Sequence, residues 1–203
     1  MRLQVARLAG QLSLLLCVAQ AWAGAPPKCA ITAPVADVIA PHPLWCLPTA
    51  VVAVAHTVQP TKLTPRDLAK NVQMFADGTT IAEIGAELDR LGIGWVAFHA
   101  AVPAVGSVLR AGATALIAVV PKPPGHHALV VDGAACCPAK MPLCGRMRAM
   151  DPALGVHRDV AERELVGAPW LLLQPKLPAQ QAAVLVALRG ATILAKGRVW
   201  PGR

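Results

Sequence analysis

A cysteine at the start of an apolar helical run is the feature that most constrains this chain. Cys46 stands two residues before Pro48, and an Ala- and Val-rich run continues to Val58. Proline suits the first turn of a helix, where its missing N–H would be unpaired in any case. At a helix N-terminus the dipole and the free N–H groups favour a thiolate. The stretch therefore predicts a buried central helix that begins with a nucleophilic cysteine.

Composition indicates one packed domain. The chain has 203 residues, of which 55% are hydrophobic and 15% charged, which excludes a largely disordered protein. The net charge of +8 is scattered along the sequence and is not interleaved with aromatic residues. Nucleic-acid binding is therefore not expected.

Residues 1–23 have the pattern of a secretory signal peptide. Arg2 and Arg7 precede a short apolar run over 8–18, and Ala21-Trp22-Ala23 resembles a cleavage site. We expect a periplasmic or secreted protein, with an uncleaved anchor as the alternative. The remaining chain divides into a domain over 24–175 and an Ala-rich, helical C-terminal tail over 176–203.

The cysteine count points to one free thiol. Without Cys17 in the signal segment, five cysteines remain, and an exported protein normally pairs its cysteines. Cys46 is the candidate for the unpaired one. Disulfides are expected among the others, with their pairing left open: Cys29, Cys136, Cys137 and Cys144.

Zinc binding is the competing interpretation of the same region. His126 and His127 precede Cys136, Cys137 and Cys144. Adjacent cysteines lack the two-residue gap of common zinc motifs, and export favours disulfides. We therefore expect no metal and no cofactor.

Hydrophobic periodicity places helices in the first half and short strands in the second. This separation predicts an α+β fold. We expect a last helix over 179–194 that docks on the domain. The other helices are predicted at 48–58, 64–72, 80–91 and 103–111, and strands at 95–98, 115–120, 127–131, 148–151 and 170–174.

Two later residues can serve Cys46. His127 begins an apolar strand and is a candidate general base, with His126 as a weaker candidate on the opposite face. Asp151 precedes Pro152 and is a candidate for the carboxylate that orients the imidazole. Asp132 precedes a glycine, so we expect it in a turn.

The order and spacing of these motifs resemble those of bacteriocin-processing cysteine peptidases, the papain-like family that cuts after double-glycine leaders. Cys46-Leu47-Pro48 is similar to the family's Cys-Gly-Pro, and the run from His127 to Val131 to its Gly-His-aromatic-Val-Val. Asp151-Pro152 is similar to its Asp-Pro turn. The resemblance spans about 40–175. It implies a stand-alone exported member with a papain-like fold, in which helices pack on a small antiparallel sheet. In it Cys46 is the nucleophile, His127 the base and Asp151 the orienting residue.

Two positions depart from the family pattern. Ala40 stands where the family has the glutamine that donates to the oxyanion, a role that His42 could take. Leu47 replaces a glycine and is expected to narrow the cleft. We therefore predict an exported cysteine peptidase that acts on a peptide or protein. The alternative is a catalytically degenerate domain that binds an extended peptide, or that joins an envelope or secretion assembly through its tail.

Overall fold

A computed structural model describes residues 35–112, 115–123, 125–134 and 146–200. The first half is helical, and strands alternate with short helices thereafter. The helices are α1 (Cys46–Val58), α2 (Pro65–Asn71), α3 (Ile81–Arg90), α4 (Val102–Arg110), α5 (Glu162–Leu165) and α6 (Pro178–Ala187). The strands are β1 (Trp95–His99), β2 (Leu116–Lys122), β3 (Gly125–Ala134), β4 (Arg146–Asp151), β5 (Val156–Ala161), β6 (Trp170–Leu173) and β7 (Thr192–Lys196).

Within the described residues, seven strands form one antiparallel sheet. Their order is β5-β4-β3-β2-β6-β1-β7. Strands β3, β4 and β5 are therefore consecutive in the chain and adjacent in space. The ladder between β3 and β4 is irregular at Val131–Gly133. This arrangement brings the end of β4 beside the start of β3.

Helices cover both faces of the sheet. Alternate residues of each strand enter different cores, as the pleat requires. On β2, for example, Ile117 packs with α1, α2 and α3, whereas Leu116 packs with α4 and α6. Eleven residues of α1 are buried, which agrees with a central apolar helix. The predicted α+β class is correct, although the sheet is larger than expected.

Local capping explains where the early helices begin. The Thr64 hydroxyl accepts the Asp67 N–H, and the Asp67 carboxylate accepts the Thr64 N–H, which together form a capping box at α2. Thr80 accepts the Glu83 N–H at the start of α3. The Glu83 carboxylate does not return this bond to the Thr80 N–H and instead accepts the N–H of Gln73.

Two elements differ from the sequence-based expectation. Strand β5, at the edge of the sheet, was not predicted, because its three consecutive polar residues, His157, Arg158 and Asp159, interrupt the alternation typical of a strand. The helix predicted over 179–194 ends at Ala187, and residues 192–196 form β7, which pairs with β1. After residue 175, β7 therefore extends the sheet, and α6 buries Val184 in the core that contains α4. No helix in the described ranges is long and apolar enough to cross a membrane.

Candidate active site

Cys46 and His127 line the same cleft. The cleft has a volume of about 430 Å³ and opens between the start of α1 and the hairpin that joins β2 to β3. Both side chains are largely buried, with 8% of Cys46 and 6% of His127 exposed. The remaining lining residues are Ile39, Ala40, Pro43, Leu44, Ala76, Asp77, Lys122, Pro123, Gly125, His126 and Ala153.

The start of α1 presents the cysteine to this cleft. A short 3-10 helix, Pro43–Trp45, leads directly into α1, and Cys46 is the first residue of α1. The His42 side chain caps the 3-10 helix by accepting the Leu44 N–H through Nδ1 at 3.2 Å. Cys46 is a free thiol, and no other cysteine is found among the described residues.

His127 is hydrogen-bonded to Asp151. The distance from Nε2 to Oδ1 is 2.7 Å, and Asp151 is 4% exposed. Because an ionised carboxylate only accepts, the Nε2 nitrogen carries the proton in this pair. The other ring nitrogen, Nδ1, is then the basic one. Of the three predicted site residues, His127 and Asp151 are therefore in direct contact, and Cys46 lines the same cleft as His127.

The turn after β4 holds the carboxylate in place. The backbone oxygen of Asp151 accepts the N–H groups of Leu154 and Gly155, and Gly155 adopts the left-handed conformation at φ +67°. Oδ1 of Asp151 also accepts the Ala153 N–H at 3.0 Å. This side-chain-to-backbone bond within the turn helps to orient the carboxylate.

Burial and charge set the protonation states of the pair. Burial lowers the pKa of His127, and this outweighs the raising effect of Asp151. Burial alone would raise the pKa of Asp151. The His127 charge and the hydrogen bonds from His127, Ala153 and Arg158 outweigh it, so that this pKa lies below its usual value. The pair is therefore held as a neutral imidazole beside an ionised carboxylate near neutral pH.

Of the three residues expected near the cleft, Ala40, His42 and Leu47, only Ala40 lines it. Ala40 does line the cleft, and its N–H donates to the Pro152 oxygen at 2.7 Å. Leu47 is 3% exposed, packs in the core beside α1 and is absent from the cleft lining, so the expectation that it narrows the cleft is wrong. His42 caps the 3-10 helix, lies with its ring 5.8 Å from that of Trp45 and does not line the cleft.

A second histidine–carboxylate cluster fastens the segment before the cleft. His157 lies 2.9 Å from Asp132 through Nε2 and 2.6 Å from Asp37 through Nδ1. Asp132 is fully buried and also accepts the Val35 N–H at 3.1 Å. The interpretation of Asp132 as a turn residue is therefore wrong: it lies within β3. Val35 and His157 are 97 and 25 residues away, and Arg148, whose Nε lies 3.8 Å from Asp132 Oδ1, is on the neighbouring strand, so nothing in the local sequence indicates these partners.

The segment over residues 35–40 consequently carries one wall of the cleft, which Ile39 and Ala40 line. The wall is held by the His157 cluster, by the bond from Ala40 to Pro152, and by packing of Ile39 against the Gly155 turn. A second cavity of about 570 Å³ shares Asp77 and His126 with the cleft. It is lined mainly by apolar and hydroxyl side chains, among them Ile81 and Val119.

Metal binding receives no support from the described part of the chain, where no group of three His, Cys, Asp or Glu side chains is arranged as a metal site. His126 is exposed, whereas His127 is buried. The other cysteines of the zinc and disulfide interpretations lie outside the described residues: Cys29, Cys136, Cys137 and Cys144. The predicted signal segment also lies outside them.

Sequence reasoning missed Arg158 and His157, because both lie on the unpredicted strand β5. A hairpin signal was present: the Asp-Pro-Ala-Leu-Gly turn follows one short predicted strand, and β-branched Val156 and Val160 follow the turn. Arg158 donates to Asp151, and His157 anchors the cleft wall.

Comparison with known proteins bears on the fold. No family model matches the sequence, and no curated protein matches it. Among solved structures, the chain is similar to the peptidase domain of ComA from Streptococcus, described as a bi-functional ABC transporter involved in a quorum sensing pathway. The two share 18% sequence identity, with a TM-score of 0.56, over 68% of this chain and 96% of that domain. The chain has the papain-like fold of this peptidase domain. The predicted fold is confirmed, and at this identity the likeness does not extend to activity.

Proposed function

We propose that this chain is an exported cysteine peptidase that hydrolyses peptide bonds with Cys46 as nucleophile, His127 as general base and Asp151 as orienting carboxylate. The observation that carries the proposal is the cleft that Cys46 and His127 line together, with His127 bonded to Asp151. The fold shared with a peptidase domain supports it.

The proposed reaction uses these groups in turn. His127 Nδ1 takes the proton of the Cys46 thiol while Nε2–H remains on Asp151. The thiolate attacks a peptide carbonyl, and the Cys46 backbone N–H helps to stabilise the oxyanion. The amine leaves with the proton from His127. Water, activated by the same imidazole, then releases the acid from the acyl-enzyme.

The substrate in this proposal is an extended peptide. The cleft and the second cavity share Asp77 and His126, so a peptide in the cleft can continue into the second cavity. The apolar and hydroxyl lining there favours side chains of the same kind.

Export forms part of the proposal because residues 1–23 have the pattern of a signal peptide. Sequencing of the N-terminus after expression in a bacterial host tests it. A mature chain that begins at Gly24 in the periplasmic or secreted fraction is expected, and an intact N-terminus in the cytoplasm would contradict export.

The peptidase test compares the full chain with Cys46→Ala and Cys46→Ser. A proteome-derived peptide library should be cleaved by the wild type alone. An alkylating probe should label Cys46 rapidly, and His127→Gln should slow that labelling. Cleavage that survives Cys46→Ala would refute the assignment.

A second candidate, peptide binding without catalysis, is favoured by Ala40. This residue lines the cleft with a methyl group where the resembling family has an amide donor, and losing one such donor costs on the order of 100- to 1000-fold in rate. Binding of library peptides that is equal in the wild type and Cys46→Ala, without cleavage by either, would favour this candidate.

A further inference from the structure

Arg158 reaches the candidate catalytic carboxylate from the neighbouring strand. In the pairing of β4 with β5, Arg158 lies opposite Ala149. Asp151 is two residues beyond Ala149 and so lies on the same face, diagonally across from Arg158. The small, buried side chain of Ala149 leaves room for the guanidinium to cross toward Asp151. The Arg158 Nε donates to Asp151 Oδ2 at 3.2 Å.

This contact completes the set of donors around Asp151. Oδ1 already accepts from His127 Nε2 and from the Ala153 N–H. Oδ2 accepts from Arg158. With donors on both oxygens, rotation of the carboxylate about its Cβ–Cγ bond would break bonds on both sides. The orientation that His127 experiences therefore depends on Arg158.

Arg158 is itself fixed by a second acid. Its Nη1 donates to Glu164 Oε2 at 3.2 Å, and Glu164 Oε1 accepts the Ala161 N–H at 3.0 Å. Glu164 thus ties the guanidinium to the start of α5. Arg158 is about one-third exposed, whereas Asp151 is buried. A chain of polar contacts therefore runs from the surface to His127.

We propose that Arg158 is a positioning residue: it fixes the orientation and the ionised state of Asp151 and, through Asp151, the imidazole of His127. As a contribution to catalysis this rests on the proposed peptidase function. Arg158 does not line the described cleft, so its role does not require contact with substrate.

Charge supports the geometry. The hydrogen bond from Arg158 is among the interactions that hold the pKa of Asp151 low, after the His127 and Ala153 contacts that oppose burial. The Arg158 charge, together with that of Lys122, also adds to the burial that lowers the pKa of His127. The charged groups around the pair are thus Lys122 on β2, Arg158 on β5 and Glu164 on α5. Removing Arg158 moves both pKa values upward.

The test compares Arg158→Gln and Arg158→Lys with the wild type in the full chain. Arg146→Gln is the matched control, because Arg146 pairs only loosely with exposed Asp159, at 3.8 Å, on the same two strands. Two readouts are needed: kcat and KM across pH on a cleaved peptide, and an NMR titration of the His127 ring in the protein without substrate.

For Arg158→Gln we expect kcat to fall roughly 10-fold at unchanged KM, a part of the 100- to 10,000-fold that general acid–base catalysis supplies. The pH profile and the His127 titration should both move to higher pH. Arg158→Lys keeps the charge and should recover part of each effect. Arg146→Gln should match the wild type in kcat, in the pH profile and in the His127 titration.

A folded Arg158→Gln variant with wild-type kcat, pH profile and His127 titration would overturn the inference and leave the peptidase intact. If the wild type cleaves nothing, the peptidase proposal fails, and the His127 titration alone decides whether Arg158 acts on the pair. If Arg158→Gln does not fold, Arg158→Lys and Glu164→Gln take its place. Unchanged titrations in both would equally overturn the inference.

Discussion

His127 is joined to Asp151 through Nε2, 2.7 Å from Oδ1, which leaves Nδ1 as the basic nitrogen of the ring. This arrangement assigns the two nitrogens different tasks, one held by a carboxylate and the other open to a thiol proton. A histidine without such a partner would sample both tautomers. The hydrogen bond to Asp151 therefore determines which ring nitrogen carries the proton, and it also affects the charge of the ring.

Asp151→Asn should lower kcat on the order of 100-fold at similar KM. Asparagine has one acceptor oxygen, whereas both oxygens of Asp151 face donors. The amide must therefore turn its NH₂ toward either His127 or Arg158. Steady-state kinetics on a cleaved peptide measure the effect, with a melting curve to verify folding. Unchanged kcat in a folded variant would remove Asp151 from the mechanism.

Stability should decrease as the pH falls, in two steps. The folded pKa values of His127 and Asp151 both lie below their usual values, so the unfolded chain binds more protons in each window. The stabilisation is complete above about pH 6.5. It is lost first as His127 titrates below that value, and further as Asp151 titrates below about pH 4.

Urea unfolding between pH 5 and 8 measures the first of these steps. His127→Gln is the control, since it lacks the titrating ring and should show a shallower dependence on pH. Identical pH dependence in the two proteins would contradict the lowered pKa of His127.

The segment over residues 35–40, which carries the cleft wall, should loosen when His157 is replaced. The imidazole bridges Asp37 and Asp132, and both nitrogens can donate together only when the ring is protonated. His157→Gln shortens the reach and leaves buried Asp132 with poorer pairing. We expect a loss of about 1–3 kcal/mol in the free energy of unfolding.

Hydrogen exchange over residues 35–45 reports the loosening directly. His99→Gln is the matched control, because His99 is an exposed histidine on β1, outside the wall. Faster exchange is expected for His157→Gln alone. Equal exchange rates in both variants would show that the wall is held by its other contacts.

Thr49→Val should raise the free energy of unfolding by about 1 kcal/mol. The Thr49 side chain is fully buried in α1, and its hydroxyl has no hydrogen-bond partner among the described residues. Valine has the same shape without the polar atom. Thr49→Ser keeps the hydroxyl and removes the methyl group, so it should lower stability by about 1 kcal/mol. If chemical denaturation ranks serine above valine, the hydroxyl has a partner.

The sequence predicts the elements around Cys46 well because their signals are local. An apolar run after a proline, or a threonine that caps α2, needs no distant partner to be recognised. Strand β7 was interpreted as helix because it directly continues the Ala- and Leu-rich run that precedes it, although Thr192 and Ile193 are β-branched residues that favour strands. Its identity is decided by pairing with β1, nearly 100 residues earlier.

The residues of the candidate site likewise fall into two groups, those with a local sequence signal and those without one. Recognisable sequence motifs surround Cys46, His127 and Asp151, so the order of these motifs is enough to predict them as site residues. Arg158 and His157 carry none, and their roles arise only when β5 aligns with β4. Burial of Asp132 is likewise stabilised by groups distant in sequence, whereas an Asp-Gly pair considered alone favours a turn.

Strand β3 carries one member of each histidine–carboxylate pair: His127 meets Asp151 on β4, and Asp132 meets His157 on β5. A slip of β3 by one residue would reverse the facing of both side chains and break both pairs together. Pairing of these three strands and assembly of the base are thus one cooperative event. An unfolded chain would carry the Cys46 thiol without an oriented base, so the chemistry proposed for Cys46 could begin only once the sheet has closed.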